Sequence, residues 1–238
     1  AAQRLLTMAR ELSGDLILAF ELLPRFAMDM AFAQIEGTSD PLAESSPWYV
    51  LMELATASPV DDLRGKLERI VGDAMEAGDV TDGVVAESEA QRANLWRPRE
   101  EQAEARKRFG QASIGGDVSV PVARTAQFLD QSTAALNAEV ADLRFNTFGH
   151  MGDGNIHYSV FKPTAMSDDA WLQRAGTLSN LLNTIVYEFG GSFSAEHGIG
   201  SQKRETLLEF APAVKLDLMR TVKAALDPAG LMNPGKIF

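Results

Sequence analysis

The order of elements along these 238 residues predicts an α+β fold: antiparallel sheets with helices packed on one face, arranged as two ferredoxin-like units. Three observations carry that reading. Short apolar runs alternate with amphipathic stretches in two successive cycles, which gives approximate lobes 1–112 and 113–238. The second cycle holds two strands joined only by a glycine turn, so they run antiparallel. A composition 45% hydrophobic and 23% charged supplies enough apolar surface for a sizeable core.

In the first cycle, Leu16–Phe20 reads as a short buried strand and Pro24–Gln34 as a helix with proline at its start. After the loop Gly37–Pro47, Trp48–Leu54 reads as a strand. From Asp61 to Glu76 the residues Leu63, Leu67, Ile70, Val71, Ala74 and Met75 fall on one helical face. Val80–Glu87 reads as a further strand, and Ser88–Arg108 as a polar helix that Pro98 kinks or restarts. In the second cycle, Asp117–Val120 is strand-like and Pro121 opens a helix through Leu136. Leu143–Gly149 and Ile156–Phe161 are the two strands of the glycine turn. Ser167 caps a long helix carrying Trp171, Leu178, Leu182, Ile185 and Phe189, which Gly190-Gly191 stops. Pro212 opens a last helix through Leu226.

Composition excludes several classes of function. A formal net charge of -11 repels phosphate backbones and anionic lipid, so nucleic acid and membrane surfaces are poor partners. Without cysteine there are no disulfides, thiolate nucleophiles or sulfur-ligated zinc. No apolar run reaches the length of a membrane span, and a cytoplasmic location is expected. The start, Ala1-Ala2-Gln3-Arg4, carries neither an initiator Met nor a signal-peptide pattern and is expected to continue a longer chain.

All three histidines lie in two glycine-rich stretches, Gly149–His157 and Ser194–Gly200. If Gly152-Asp153-Gly154-Asn155 forms the hairpin loop, Met151 faces Ile156 and His150 faces His157, with Cβ atoms about 4.5–5.5 Å apart on one face of the sheet. That spacing suits two imidazoles converging on one metal ion. In the second stretch Glu196 and His197 are neighbours, whose side chains point apart in extended backbone. One of them is then a ligand, completing a nitrogen/oxygen site with open positions, and the other acts on substrate.

Gly149–His157, Ser194–Gly200 and the terminal Met232-Asn233-Pro234-Gly235-Lys236, with Leu95–Glu100 and Asp117–Pro121 in matching order, resemble the FAD-linked oxidase family. The resemblance is narrower still to its metal-dependent branch, which oxidises D-lactate, D-2-hydroxyglutarate and glycolate. It spans the chain from about Leu16 onward and makes residues 1–238 the C-terminal, substrate or cap domain. The FAD-binding domain that precedes it in full-length members is absent here. The resemblance implies His150, His157 and Glu196 as metal ligands, His197 as active-site base, Arg99 as the binder of substrate carboxylate and Asn233 as a residue near the flavin. It implies FAD, bound mainly by the missing domain, and a divalent metal, zinc first among candidates. The implied partners are a small 2-hydroxy acid, the FAD-binding domain, an electron acceptor and, compatibly, a second copy of the chain. The isolated chain is expected to bind metal without turning over substrate.

Three positions depart from the branch that oxidises 2-hydroxyglutarate. Ala103 and Gly115 stand where such members carry Thr and Lys, and Ser159 replaces an Asn. A monocarboxylate such as D-lactate is therefore as consistent with the residues as a dicarboxylate. Two competing classes are a metal-dependent hydrolase built on the same residues and a non-catalytic ferredoxin-like module with structural histidines.

Overall fold

The computed structural model describes all 238 residues, in two compact units, Ala1–Phe193 and Ser194–Phe238. The first contains α1 (Ala2–Ser13), β1 (Ile17–Pro24), α2 (Arg25–Gln34), β2 (Trp48–Leu54), α3 (Leu63–Glu76), α4 (Glu89–Glu100), α5 (Gln102–Phe109), β3 (Ser113–Ser119), a 3-10 turn at Val122–Arg124, α6 (Thr125–Glu139), β4 (Arg144–His150), β5 (Asn155–Phe161) and α7 (Asp168–Glu188). The second contains α8 (Arg204–Phe210) and α9 (Ala213–Leu226).

The five strands form one antiparallel sheet in the order β2-β1-β4-β5-β3. The separate sheets read from the sequence are thus joined, through β1 and β4, by the register pairs Glu21↔His150 and Leu22↔Gly149, beside which the Gly152 N–H donates to the Phe20 carbonyl at 3.3 Å. For the same reason the chain does not part into compact units near residue 112: strands from both sides of it share one sheet, and the division falls after Phe193. From β3 onward the order is strand, helix, strand, strand, helix, followed by a bridge from Ser192 to Ser119 where a last strand would lie. That is the ferredoxin-like order with its final strand reduced to one bridge.

Val80–Glu87 forms no strand. Two of its amides are taken by nearby side chains instead: the Gly83 N–H donates to the Asp82 carboxylate at 2.8 Å and the Glu87 N–H to Gln91 Oε1 at 2.6 Å. Such side-chain acceptors compete with a strand ladder. Helix α1 was not anticipated, although Leu5, Leu6, Ala9 and Ser13 are buried at helical spacing and Gly14, at φ 73°, ends the helix in the left-handed region.

The main helical layer is the one expected. Side chains of α1, α3, α6 and α7 pack on Phe20, Leu22, Ile156, Tyr158 and Val160. A smaller layer covers the opposite face, where α2 meets Leu23, Tyr49 and Phe148, and Ala105 of α5 meets Phe161. The restart expected at Pro98 occurs three residues later, at Glu101 between α4 and α5. Gln102, 1% exposed, closes that break: its amide donates to the carbonyls of Pro98 at 2.8 Å and Ala27 at 2.9 Å, and its oxygen accepts from Asn146 at 3.3 Å.

In the second unit, Asp227 follows α9 and its carboxylate accepts from Lys223 and from the N–H groups of Leu231 and Met232. The Lys223 hydrogen bond, with those two amides, holds the Asp227 carboxyl below its ordinary range.

Candidate active site

The sheet face beneath α2, α4 and α5 carries the polar residues. Successive strand residues alternate faces, so Glu21 of β1, Phe148 and His150 of β4, His157 and Ser159 of β5, and Gly115 and Asp117 of β3 share one side.

The hairpin register differs from the expected one. The turn is Met151–Gly154, so His150 pairs with Asn155 and Phe148 with His157. The turn tightens because the His150 carbonyl accepts from both the Asp153 and Gly154 N–H groups, at 3.2 and 3.0 Å. Gly154 has φ 83°, and a Cβ there would lie 2.1 Å from the Val120 carbonyl oxygen, so only glycine fits. The two histidines are consequently diagonal across the ladder. The shift is an even number of residues, so both keep the same face, and their ring centroids are 5.5 Å apart.

Each imidazole meets a carboxylate from the strand on its outer side. Glu21, directly across from His150, places Oε1 2.6 Å from its Nδ1. Asp117, directly across from His157, places Oδ1 3.6 Å from its Nδ1. Glu21 is 2% exposed, whereas the His150 side chain is 38% exposed and keeps one side open.

Arg99, from the last turn of α4, enters the same group. Its Nε donates to Glu21 Oε2 at 2.6 Å, its Nη2 lies 3.3 Å from His150 Nε2, and its guanidinium sits 4.9 Å from the centre of the Phe148 ring. A buried carboxylate in a strand is costly unless paired, and here both oxygens of Glu21 have partners. Beside this group, Arg106 donates to the Ser159 hydroxyl at 3.1 Å.

The structure thus brings His150, His157 and Arg99 together. Sequence reasoning missed Glu21 because it ended the first strand at Phe20, whereas β1 runs on to Pro24. The signal was available: in Ile17-Leu18-Ala19-Phe20-Glu21-Leu22-Leu23 a single carboxylate interrupts an apolar strand.

Glu196, His197 and Asn233 belong to the second unit. The segment around Glu196 is a run of bends, not extended backbone, so the expectation that the two neighbours point apart is corrected: His197 Nε2 lies 3.6 Å from Glu196 Oε1. Ser194 Oγ donates to the Gly198 carbonyl at 2.6 Å and accepts from Lys203 at 3.0 Å, which shapes the loop. Asn233 sits in the terminal turn with φ 49°.

A model of the family described as FAD linked oxidases, C-terminal domain, matches residues 1–237. D-2-hydroxyglutarate dehydrogenase of Xanthomonas citri pv. viticola is 38% identical over 220 residues, 92% of this chain and 45% of that protein. The enzyme of the same name from Stutzerimonas stutzeri is 35% identical over 218 residues, 90% of this chain and 46% of that one. The mitochondrial one of Bos taurus is 34% identical over 233 residues, 96% and 40%. The chain therefore spans less than half the length of these relatives. Among solved structures, p-cresol methylhydroxylase with substrate bound superposes with a TM-score of 0.57 at 14% identity, covering 99% of this chain and 50% of that one. The 4-ethylphenol oxidase of Gulosibacter chungangensis gives 0.52 at 16%, covering 92% and 47%. At such identities the similarity is one of fold. No helix is long and apolar enough to cross a membrane.

Proposed function

Because the chain belongs to the family of C-terminal domains of FAD linked oxidases, we propose that it is the substrate- and metal-binding domain of a flavin-dependent dehydrogenase that oxidises a D-2-hydroxy acid to the 2-oxo acid. The observation that carries this reading is the polar sheet face: two imidazoles with ring centroids 5.5 Å apart, and a guanidinium within 3.3 Å of one of them. Relatives named D-2-hydroxyglutarate dehydrogenase, at 38% and 35% identity over nine-tenths of the chain, support the reaction class.

The donor set fits a divalent cation such as zinc, since imidazole nitrogens and carboxylate oxygens are its usual ligands outside sulfur sites. His150 and His157 hold it, and the sequence resemblance adds Glu196 as third ligand. Bound there, the cation would lower the pKa of a substrate hydroxyl and fix its orientation, while FAD, held mainly by a domain outside this chain, would supply the hydride acceptor. Arg99 binds the substrate carboxylate, His197 removes the hydroxyl proton, and Asn233 lies toward the flavin. These last three roles also rest on the resemblance. The chain's net charge of -11 gives no global attraction for an anionic substrate, so local cationic groups do that work.

Metal analysis of the chain purified without a histidine tag tests the ligand assignment. Stoichiometric zinc uptake by the parent, lost in His150→Ala and His157→Ala, is the expected result, and a parent that takes up no divalent ion overturns it. In a flavin-bearing full-length protein, His197→Ala is expected to lower kcat about 10²–10⁴-fold, the usual worth of a general base. Esterase or phosphatase turnover by the metal-loaded chain without flavin would instead establish the hydrolase.

A further inference from the structure

We infer that Glu21 is the positioning residue of this site, locking His150 in the Nδ1–H tautomer so that its Nε2 keeps the lone pair that a cation ligand needs. The metal reading proposed above is its premise, but the tautomer stands on hydrogen-bond chemistry alone.

Two partners constrain the ring from opposite sides. A carboxylate oxygen of Glu21 lies 2.6 Å from Nδ1 and can only accept, so Nδ1 carries the proton. The Arg99 guanidinium lies 3.3 Å from Nε2 and can only donate, so Nε2 carries the lone pair. Both requirements select the same tautomer. The backbone reinforces it, because Glu21 and His150 are directly opposed in the ladder that joins β1 to β4. Glu21 is itself fixed, being 2% exposed, with its second oxygen 2.6 Å from Arg99 Nε. It is therefore an anchor and not a mobile surface acid. A carboxylate behind a ligating imidazole fixes the ring and raises its basicity toward the metal.

Arg99 takes a second part in this arrangement. Its Nη2 occupies the direction in which a cation would approach His150 Nε2, while its Nε stays bonded to Glu21. A cation at Nε2 would need to displace only the Nη2 end, because Nε is held by Glu21. The released Nη2 would then be free for a substrate carboxylate, the role that the proposed function gives Arg99. Glu21 thus couples metal arrival to the availability of Arg99 for substrate.

The test has two readouts on the 238-residue chain. With only three histidines, the imidazole ¹H–¹⁵N correlation spectrum of the metal-free protein resolves each ring, and His150→Gln assigns one of them. His150 is expected wholly as the Nδ1–H tautomer in the parent and as a mixture in the isosteric Glu21→Gln. An Nε2–H ring in the parent, or an unchanged ring in Glu21→Gln, overturns the inference. If Glu21→Gln fails to fold, the parent spectrum still decides. Zinc titration of the same proteins is expected to show affinity falling 10–100-fold in Glu21→Gln and not falling in Arg99→Gln, which removes the competing cation. Equal affinity in the parent and Glu21→Gln overturns the inference. A parent without zinc affinity defeats the metal reading and leaves the spectrum to decide this one.

Discussion

Gly115 limits what β3 can offer to a substrate. It has φ 130°, and a Cβ on it would lie 1.8 Å from the Tyr158 carbonyl oxygen, so no side chain can grow from this position without moving the ladder. Directly opposite is Ser159, whose hydroxyl takes the hydrogen bond of Arg106. The cationic group nearest this corner thus arrives from α5 and not from the sheet. We predict that Arg106→Ala, in a flavin-bearing full-length protein, raises KM for a dicarboxylic 2-hydroxy acid about tenfold, or about 1.4 kcal/mol, and leaves KM for a monocarboxylic one unchanged. Equal changes for both would reduce Arg106 to a structural role. At the turn, Gly154→Ala is expected to cost about 2–3 kcal/mol in urea denaturation, because it adds left-handed strain to a backbone clash. The glycine turn and both its histidines were legible from residue types alone. Glu21 was legible only as an acid interrupting the apolar run Ile17–Leu23; that it meets His150 was not, because the pairing of β1 with β4 joins segments distant in sequence.

Between the elements, the parts legible in advance were those whose signals are local. Ser167 accepts from the Ala170 N–H at the start of α7, and Gly190, at φ 74°, follows its end. The helical stretch read over Asp61–Glu76 became α3, which starts two residues later at Leu63, and Trp48–Leu54 became β2 with the same bounds. What could not be read was set by partners distant in sequence. The hairpin register turned on which four residues made the loop, and a displacement of two kept the face but changed the pairing. The helical layer on the second face depends on Gln102, whose three hydrogen bonds reach α2, α4 and β4. Replacing it by Leu leaves the Asn146 amide and two buried carbonyls short of a partner. Gln102→Leu is therefore expected to lose about 2–3 kcal/mol, measured by chemical denaturation, and a loss below about 0.5 kcal/mol would show that water replaces the amide.

For the molecule as a whole, one group couples global stability to alkaline pH. Tyr158 is fully buried in the main core and its hydroxyl donates to Ser132 at 2.8 Å. Burial pushes its pKa up from 10 to about 12, against a partial lowering by the Ser132 and Thr133 hydroxyls. The unfolded chain ionises this phenol first, so its contribution to stability is complete below pH 10 and is lost as pH rises through 12. At about 1.4 kcal/mol per unit, the loss amounts to about 3 kcal/mol. Denaturation of the parent and Tyr158→Phe near pH 8 and near pH 11 is expected to show a fall in the parent that the variant largely lacks. The two cycles of elements were legible, but they form no lobes divided near residue 112: their strands share one sheet, joined through the short contact of β1 with β4.

That contact, Glu21↔His150 and Leu22↔Gly149, is also where the sheet has least to hold it closed. A ladder this short has few backbone bonds of its own, and any opening withdraws the carboxylate from the imidazole. Amide hydrogen exchange at Leu22, whose N–H lies on the β4 side like the Phe20 carbonyl that accepts from Gly152, therefore gauges how often the site is disassembled within an otherwise native protein. Whatever clamps β1 to β4 from outside, be it ligand, neighbouring domain or cold, should slow that exchange and ready the site together.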